Sequence, residues 1–154
     1  MAVITILIKI NMMKYFFLLP LFLFLSCDDE GIKDSEFCDD AICINESDYE
    51  SAQSERLTIL NVTIDEDFCL LVEYQSGGCN GDSWKLDLID SGGVAESDPE
   101  QRFARFDFEN NEECEALITK TTSFDISDIL LEGRSFILNL QAGEWSDSIL
   151  IEEN

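Results

Sequence analysis

From residue 57 onward, apolar side chains recur at every second position in short runs separated by turn residues. Thr58, Leu60, Val62 and Ile64 make one such face, and Phe68, Leu70, Val72 and Tyr74 the next, up to Gly77-Gly78. Trp84, Leu86 and Leu88 alternate with Lys85, Asp87 and Ile89 before Gly92-Gly93; Ala104, Phe106 and Phe108 alternate with Arg105 and Asp107 before Asn110-Asn111. A period of two sends one side of a strand into a core and the other into water. Further strands are expected over 116–122, 136–140 and 148–152, and residues 126–131 fit a single helical turn capped by Asp125 or Ser127. About seven short strands with Gly, Asn and Asp between them predict an all-β domain over residues 55–154. Its expected form is an antiparallel β-sandwich, immunoglobulin-like, or a small barrel.

The first 26 residues follow another pattern. Lys14 precedes eleven residues, Tyr15 to Leu25, with no charge, and then come Ser26 and Cys27. A basic start, a short apolar run and a small residue before a cut make a secretory signal. The run is too short to span a bilayer, which takes ~20 apolar residues. Met13-Lys14 supplies a compact signal by itself, so translation is expected to start at Met12 or Met13. Residues 27–54 are rich in Asp, Glu and Ser and poor in large apolar side chains, which predicts a disordered acidic tether.

Leu23-Phe24-Leu25-Ser26-Cys27 resembles the lipobox of bacterial lipoproteins, with Phe24 where that family prefers Leu. The resemblance implies that Cys27 becomes the acylated N-terminus, since firm anchoring takes more than one acyl chain. The implied localisation is the bacterial cell envelope, on the outer membrane. Asp28-Asp29-Glu30 directly behind Cys27 resembles the signal that sends Bacteroidota-type lipoproteins to the outer face of that membrane, although an acidic block is equally a solvated linker.

Composition narrows the chemistry. The 154 residues include 33 acidic, nine basic and no histidine, for a net charge of −24. Both basic residues of the leader, Lys9 and Lys14, precede the first acid, so the remainder carries −26. This charge argues against nucleic acid as a partner, because phosphate contacts need Lys and Arg. The missing histidine removes Ser-His-Asp and Cys-His catalysis and imidazole metal ligands.

Besides Cys27 there are Cys38, Cys43, Cys69, Cys79 and Cys114. Export permits disulfides, and spacing alone leaves their connectivity open. The expected pairs are Cys79–Cys114, both at strand ends, and Cys38–Cys43 as a local clip, with Cys69 a buried free thiol. The segments Gly77-Gly78-Cys79-Asn80-Gly81-Asp82-Ser83-Trp84, Ser97-Asp98-Pro99-Glu100-Gln101 and Asn111-Glu112-Glu113-Cys114-Glu115-Ala116 resemble a set of uncharacterised secreted or lipid-anchored β domains. That resemblance supports the Cys79–Cys114 pair. It places Asp82 and Asp107 where those domains have histidines and Glu112 where they have Asp, and it names no activity.

Asp82, Asp107 and Glu112 are accordingly the candidate metal ligands, and Ca²⁺, which takes six to eight hard oxygens, is the candidate cofactor. Further clusters stand at Asp65-Glu66-Asp67 and Glu109 to Glu113, but no Asp-x-Asp-x-Asp-Gly loop is present. Gly81-Asp82-Ser83 has the form of a nucleophile block, yet Ser83 lacks a histidine base. A hydrolase working through carboxylates alone would use Asp82 with Asp107. Trp84 reads as core and Trp145, near Gly143-Glu144, as an exposed hairpin tip able to meet a protein partner. The expected function is a membrane-anchored binding or structural accessory module, with an envelope protein as partner.

Overall fold

A computed structural model describes residues 37–152. The leader, both candidate start sites, Cys27 and the first part of the acidic stretch lie outside those residues. Among the described residues nine strands form two sheets. One holds β1 (Asp40–Ala41), β3 (Thr58–Ile64), β4 (Cys69–Gly78) and β7 (Ala116–Asp125) in the order β1-β7-β4-β3. The other holds β2 (Cys43–Ile44), β5 (Lys85–Ala95), β6 (Glu100–Glu109), β8 (Phe136–Ala142) and β9 (Trp145–Ile151) in the order β2-β5-β6-β8-β9. The expected all-β sandwich is the fold, and neither sheet closes into a barrel.

The core lies between the sheets. Leu70, Val72, Tyr74 and Phe124 face Leu88, Ala104, Phe106, Phe136, Leu138 and Leu140, all nearly or fully buried. The seven longer strands fall where the alternation puts them, with two local departures. In β3 the register slips between Ile59 and Asn61, so Ile59 is buried and Leu60 exposed. A bulge exchanges the faces of a strand, so the buried side runs from Ile59 to the half-buried Val62 and Ile64. Gly92-Gly93 does not end β5 but lies in a second register shift between Asp90 and Val94, with Gly92 at φ +76°. The expected helical turn is a 3₁₀ turn, Ser127–Ile129, where Asp125 Oδ1 accepts from Ser127 N at 2.9 Å.

Pairing is not wholly antiparallel. β3–β4, β4–β7, β5–β6 and β8–β9 are antiparallel, whereas β6–β8, β1–β7 and β2–β5 are parallel. β1 and β2 belong to the stretch expected to be a disordered tether, so the folded domain begins before residue 55. Ile42, between them, is buried and donates its N–H to Asp125 O at 3.0 Å, and Asn45 N reaches Asp90 O at 3.1 Å. One chain segment therefore joins the same side of both sheets. Helix α1 (Glu46–Ser51) follows, capped by Asn45, whose side chain accepts from Ser47 N and Asp48 N. It sits on the outer face of the five-stranded sheet, where the Arg105 guanidinium lies 4.4 Å from the centre of the Tyr49 ring.

Cys79–Cys114 is a disulfide as expected. It joins the two crossings between the sheets, β4 to β5 and β6 to β7. The expected Cys38–Cys43 clip and the free Cys69 are both corrected: Cys38 bonds Cys69, with Cα atoms 5.6 Å apart. The reason is the crossing at Ile42. Cys38 leads into the four-stranded sheet beside the buried first residue of β4, while Cys43 lies in β2 of the other sheet.

Candidate functional site

The segments singled out by motif meet at the stapled crossings. After β4 ends at Gly78, the turn 79–84 is shaped by its own side chains. Asn80 Nδ2 donates to Asp82 Oδ2 at 2.6 Å, Asp82 N to Asn80 Oδ1 at 3.2 Å, and Gly81 adopts φ +73°. Three successive N–H groups, from Cys79, Asn80 and Gly81, converge on Oε2 of Glu112, the latter two at 3.1 Å. Ser83 Oγ donates to Glu112 Oε1 at 3.1 Å. A Cβ at Gly78 would collide with Glu112 Oε2 and with the Trp84 ring, so this approach requires glycine.

The opposing crossing is held as firmly. Asn110 Nδ2 donates to Ser76 Oγ at 3.0 Å and to Gly77 O at 2.9 Å, and its Oδ1 accepts from Glu112 N at 2.9 Å. Arg56 bridges Gly77 O at 3.1 Å and Glu112 O at 3.2 Å, and Lys120 Nζ donates to Gly81 O. Desolvation pushes the Glu112 carboxyl up. The N–H groups of Gly81, Cys79 and Asn80 and the Ser83 hydroxyl outweigh it and hold the group at about 2.

These contacts show where the three candidate ligands lie and what each is bound to. Both oxygens of Glu112 are taken by protein donors. Asp82 is exposed and paired with Asn80. Asp107 lies on the outer face of β6, where it accepts Gln53 N at 2.6 Å and stands opposite Asp87 in the β5–β6 register. The three therefore serve three separate sets of partners. Among the described residues no group of three or more Cys, Asp or Glu side chains is gathered as a metal site. Asp65 caps the β3–β4 turn, accepting Asp67 N at 3.0 Å and Cys69 N at 2.9 Å. Ser83 is a donor to Glu112. Trp84 packs edge-on against Phe108, ring centres 5.5 Å apart. Trp145 is half-buried with its ring 6.2 Å from Phe106, so it belongs to the core margin and not to an exposed tip.

Two features escaped the sequence reading. One is a buried ion pair at the β5 bulge: Arg102 Nη2 donates to Asp90 Oδ1 at 2.7 Å and Nε to Oδ2 at 3.1 Å, and Gly92 N adds a third bond to Oδ1 at 2.7 Å. The other is a cleft of about 280 Å³ between the sheets, lined by Asp40, Tyr74, Trp84, Lys85, Asp87 and Thr122. Within it burial pushes the Asp87 carboxyl up. Lys85, 3.7 Å away, counters this, and Asp107, Asp40 and Glu109 push further, to about 6. Burial, and then Asp40, raise Tyr74 as well.

No family model matches the chain, and no curated protein matches it. A solved structure of a protein of unknown function, DUF1344, from Bacteroides vulgatus is similar with TM-score 0.52 and 13% identity. The likeness covers 74% of this chain and 56% of that one, so the chain spans little more than half the length of its structural neighbour. A putative toxin-related protein from Parabacteroides distasonis aligns with TM-score 0.49 and 14% identity, over 75% of this chain and 62% of that one. At these identities the first likeness speaks to the sandwich fold alone.

Proposed function

We propose that the protein is a lipoprotein of the bacterial cell envelope, anchored to the outer membrane by acylated Cys27 and serving as a binding or structural accessory to an envelope partner. The carrying observation is Leu23-Phe24-Leu25-Ser26-Cys27 placed directly after Lys14 and an uncharged run of eleven residues. The Cys38–Cys69 and Cys79–Cys114 disulfides support export, because such bonds persist in oxidising compartments. Charge supports the orientation: a body of −26 is repelled by anionic headgroups, so attachment through lipid holds it near a surface it would otherwise leave.

The test is metabolic labelling of a bacterium expressing the full chain with an alkyne analogue of palmitate, followed by membrane fractionation. The expected result is a labelled, membrane-bound protein, with Cys27→Ala unlabelled and released from the membrane. An unlabelled, soluble wild-type protein overturns the reading. Intact mass before and after reduction gives a second readout. Lipidation puts an acyl-bearing thioether on the Cys27 sulfur, which adds mass that reduction does not remove. A mature mass without the acyl chain also overturns the proposal.

A further inference from the structure

The geometry points to the flank of the sandwich bordered by β3 and β9 as the docking surface for an extended peptide segment of a partner protein, one that alternates apolar and basic side chains and pairs with the edge of β3. This surface deepens the accessory role proposed above. It rests on that role for the existence of a partner and for nothing in its geometry.

The first observation is the edge. Within its sheet β3 pairs with β4 alone. From Thr58 to Ile64 it holds no charge, proline or glycine, in a chain of which 27% of residues are charged. Edges are ordinarily guarded by such residues, as Asp147 guards β9. The bulge between Ile59 and Asn61 disturbs only the first half of the strand. Asp65 N bonds Cys69 O at 3.1 Å, so the alternation of an antiparallel pair turns the backbone groups of Thr63 toward β4 and those of Val62 and Ile64 outward. Among the described residues no strand pairs with those outward groups.

The second observation is the groove beside it. A space of about 330 Å³ lies between the ends of β3 and β9, lined by Ile64, Phe68, Leu150 and Ile151 and by three acidic residues, Asp65, Glu66 and Glu152. Among the described residues no basic one lines it. Leu150 is 51% exposed there. Phe68 adopts φ +60°, a left-handed backbone that strains a bulky residue. Apolar walls with a carboxylate rim suit an apolar side chain flanked by ammonium or guanidinium groups.

The third is the opposite flank, where the chain itself shows how an extended segment closes such a gap. There residues 40–44 pair in parallel with β7 and β5, Ile42 is buried between them, and its N–H bonds Asp125 O at 3.0 Å. The β3 edge and its groove offer an incoming strand the same two contacts, backbone pairing and one apolar insertion. The sign of the charge selects the occupant. A second copy brings a net charge of −24 and the same three acidic residues to a rim that is already acidic. Lysine or arginine at alternate positions of a partner segment instead meets Asp65, Glu66 and Glu152.

The experiment titrates the full chain, held in a non-ionic detergent, with a capped heptapeptide alternating lysine and valine. A lysine–serine peptide of equal charge and a glutamate–valine peptide are the comparison titrants. Saturable binding of the lysine–valine peptide alone is expected. Amide exchange at Val62 and Ile64 should slow about tenfold or more, while Thr63, already turned to β4, keeps its rate. Glu66→Lys combined with Glu152→Lys, both exposed positions, should weaken binding about tenfold or more. Val62→Pro removes an outward N–H, leaves the bonds to β4 in place and should abolish binding. If that variant fails to fold, the exchange pattern of the wild-type protein decides. Equal binding of the lysine–serine peptide, saturation by the glutamate–valine peptide, or a bound state in which Val62 and Ile64 exchange as before would each overturn the assignment. Protection of those two amides that rises with protein concentration, without peptide, gives the edge to a second copy and overturns it too. No arm of the experiment depends on acylation of Cys27, so a failure here is distinct from a failure of the anchor.

Discussion

Glu112 fills, from within the chain, the anion position that three successive N–H groups create. A carboxyl held at about 2 when folded, and near 4.5 when free, contributes stability that is fully present above about pH 4.5 and is lost as pH falls through about 2. Glu112→Gln should therefore lower the melting temperature at pH 7, and the gap from the wild-type protein should narrow between pH 4.5 and pH 2; thermal melts across that range check it. Arg102 and Asp90 pose the opposite problem, since both charges are withdrawn from water. Arg102→Met leaves Asp90 buried without its partner and should cost about 3–5 kcal/mol in urea unfolding. A further Asp90→Leu change should recover part of that loss, since the Gly92 N–H then lacks its acceptor. The signal for this pair stood in the sequence: Arg102 continues the inward series Ala104, Phe106, Phe108 by one step. Asp82, Asp107 and Glu112 show the converse, because residue type says nothing about which donors a fold brings to each carboxylate.

At the scale of elements, the long strands were legible because seven or more residues in alternation outweigh a local irregularity. β1 and β2 were not. Each has two residues, each pairs in parallel with a strand distant in sequence, and Ile42 is the one buried aliphatic residue between them. Composition alone gives such a stretch too little apolar surface to order itself. It is ordered by edges already present and by the bond from Cys38 to Cys69. Replacing both cysteines by serine should cost ~3–4 kcal/mol for a loop of 31 residues in the chain-entropy view. Hydrogen exchange should locate the loss: the Ile42 N–H, bound to Asp125 O, should lose protection before the β8–β9 hairpin does. Unchanged protection at Ile42 would show that β1 holds to β7 without the bond. The Cys38–Cys43 expectation failed for a related reason, as nearness in sequence counts for little where the chain passes from one sheet to the other.

For the whole molecule, net charge sets the conditions under which these local devices work. The described residues contain six basic side chains, and each is engaged: Lys85, Arg102 and Arg134 with carboxylates, Arg56 and Lys120 with carbonyl groups, Arg105 with Tyr49 and Gln141. Acidic surplus then faces solvent with little to neutralise it, which keeps copies apart and weakens the compact state through self-repulsion. Fold class and polarity of the surface were readable from patterning and composition, whereas the cleft was not, because Asp40, Tyr74, Asp87 and Thr122 come from four strands in two sheets. The entry of the chain at Cys38 carries a mechanical consequence. Any tension arriving from the residues ahead of it passes through a covalent bond into β4, an interior strand of its sheet flanked by β3 and β7. A load of that kind bypasses the two-residue strands β1 and β2, which would peel first if they bore it, and is spread across the ladder at the centre of the body.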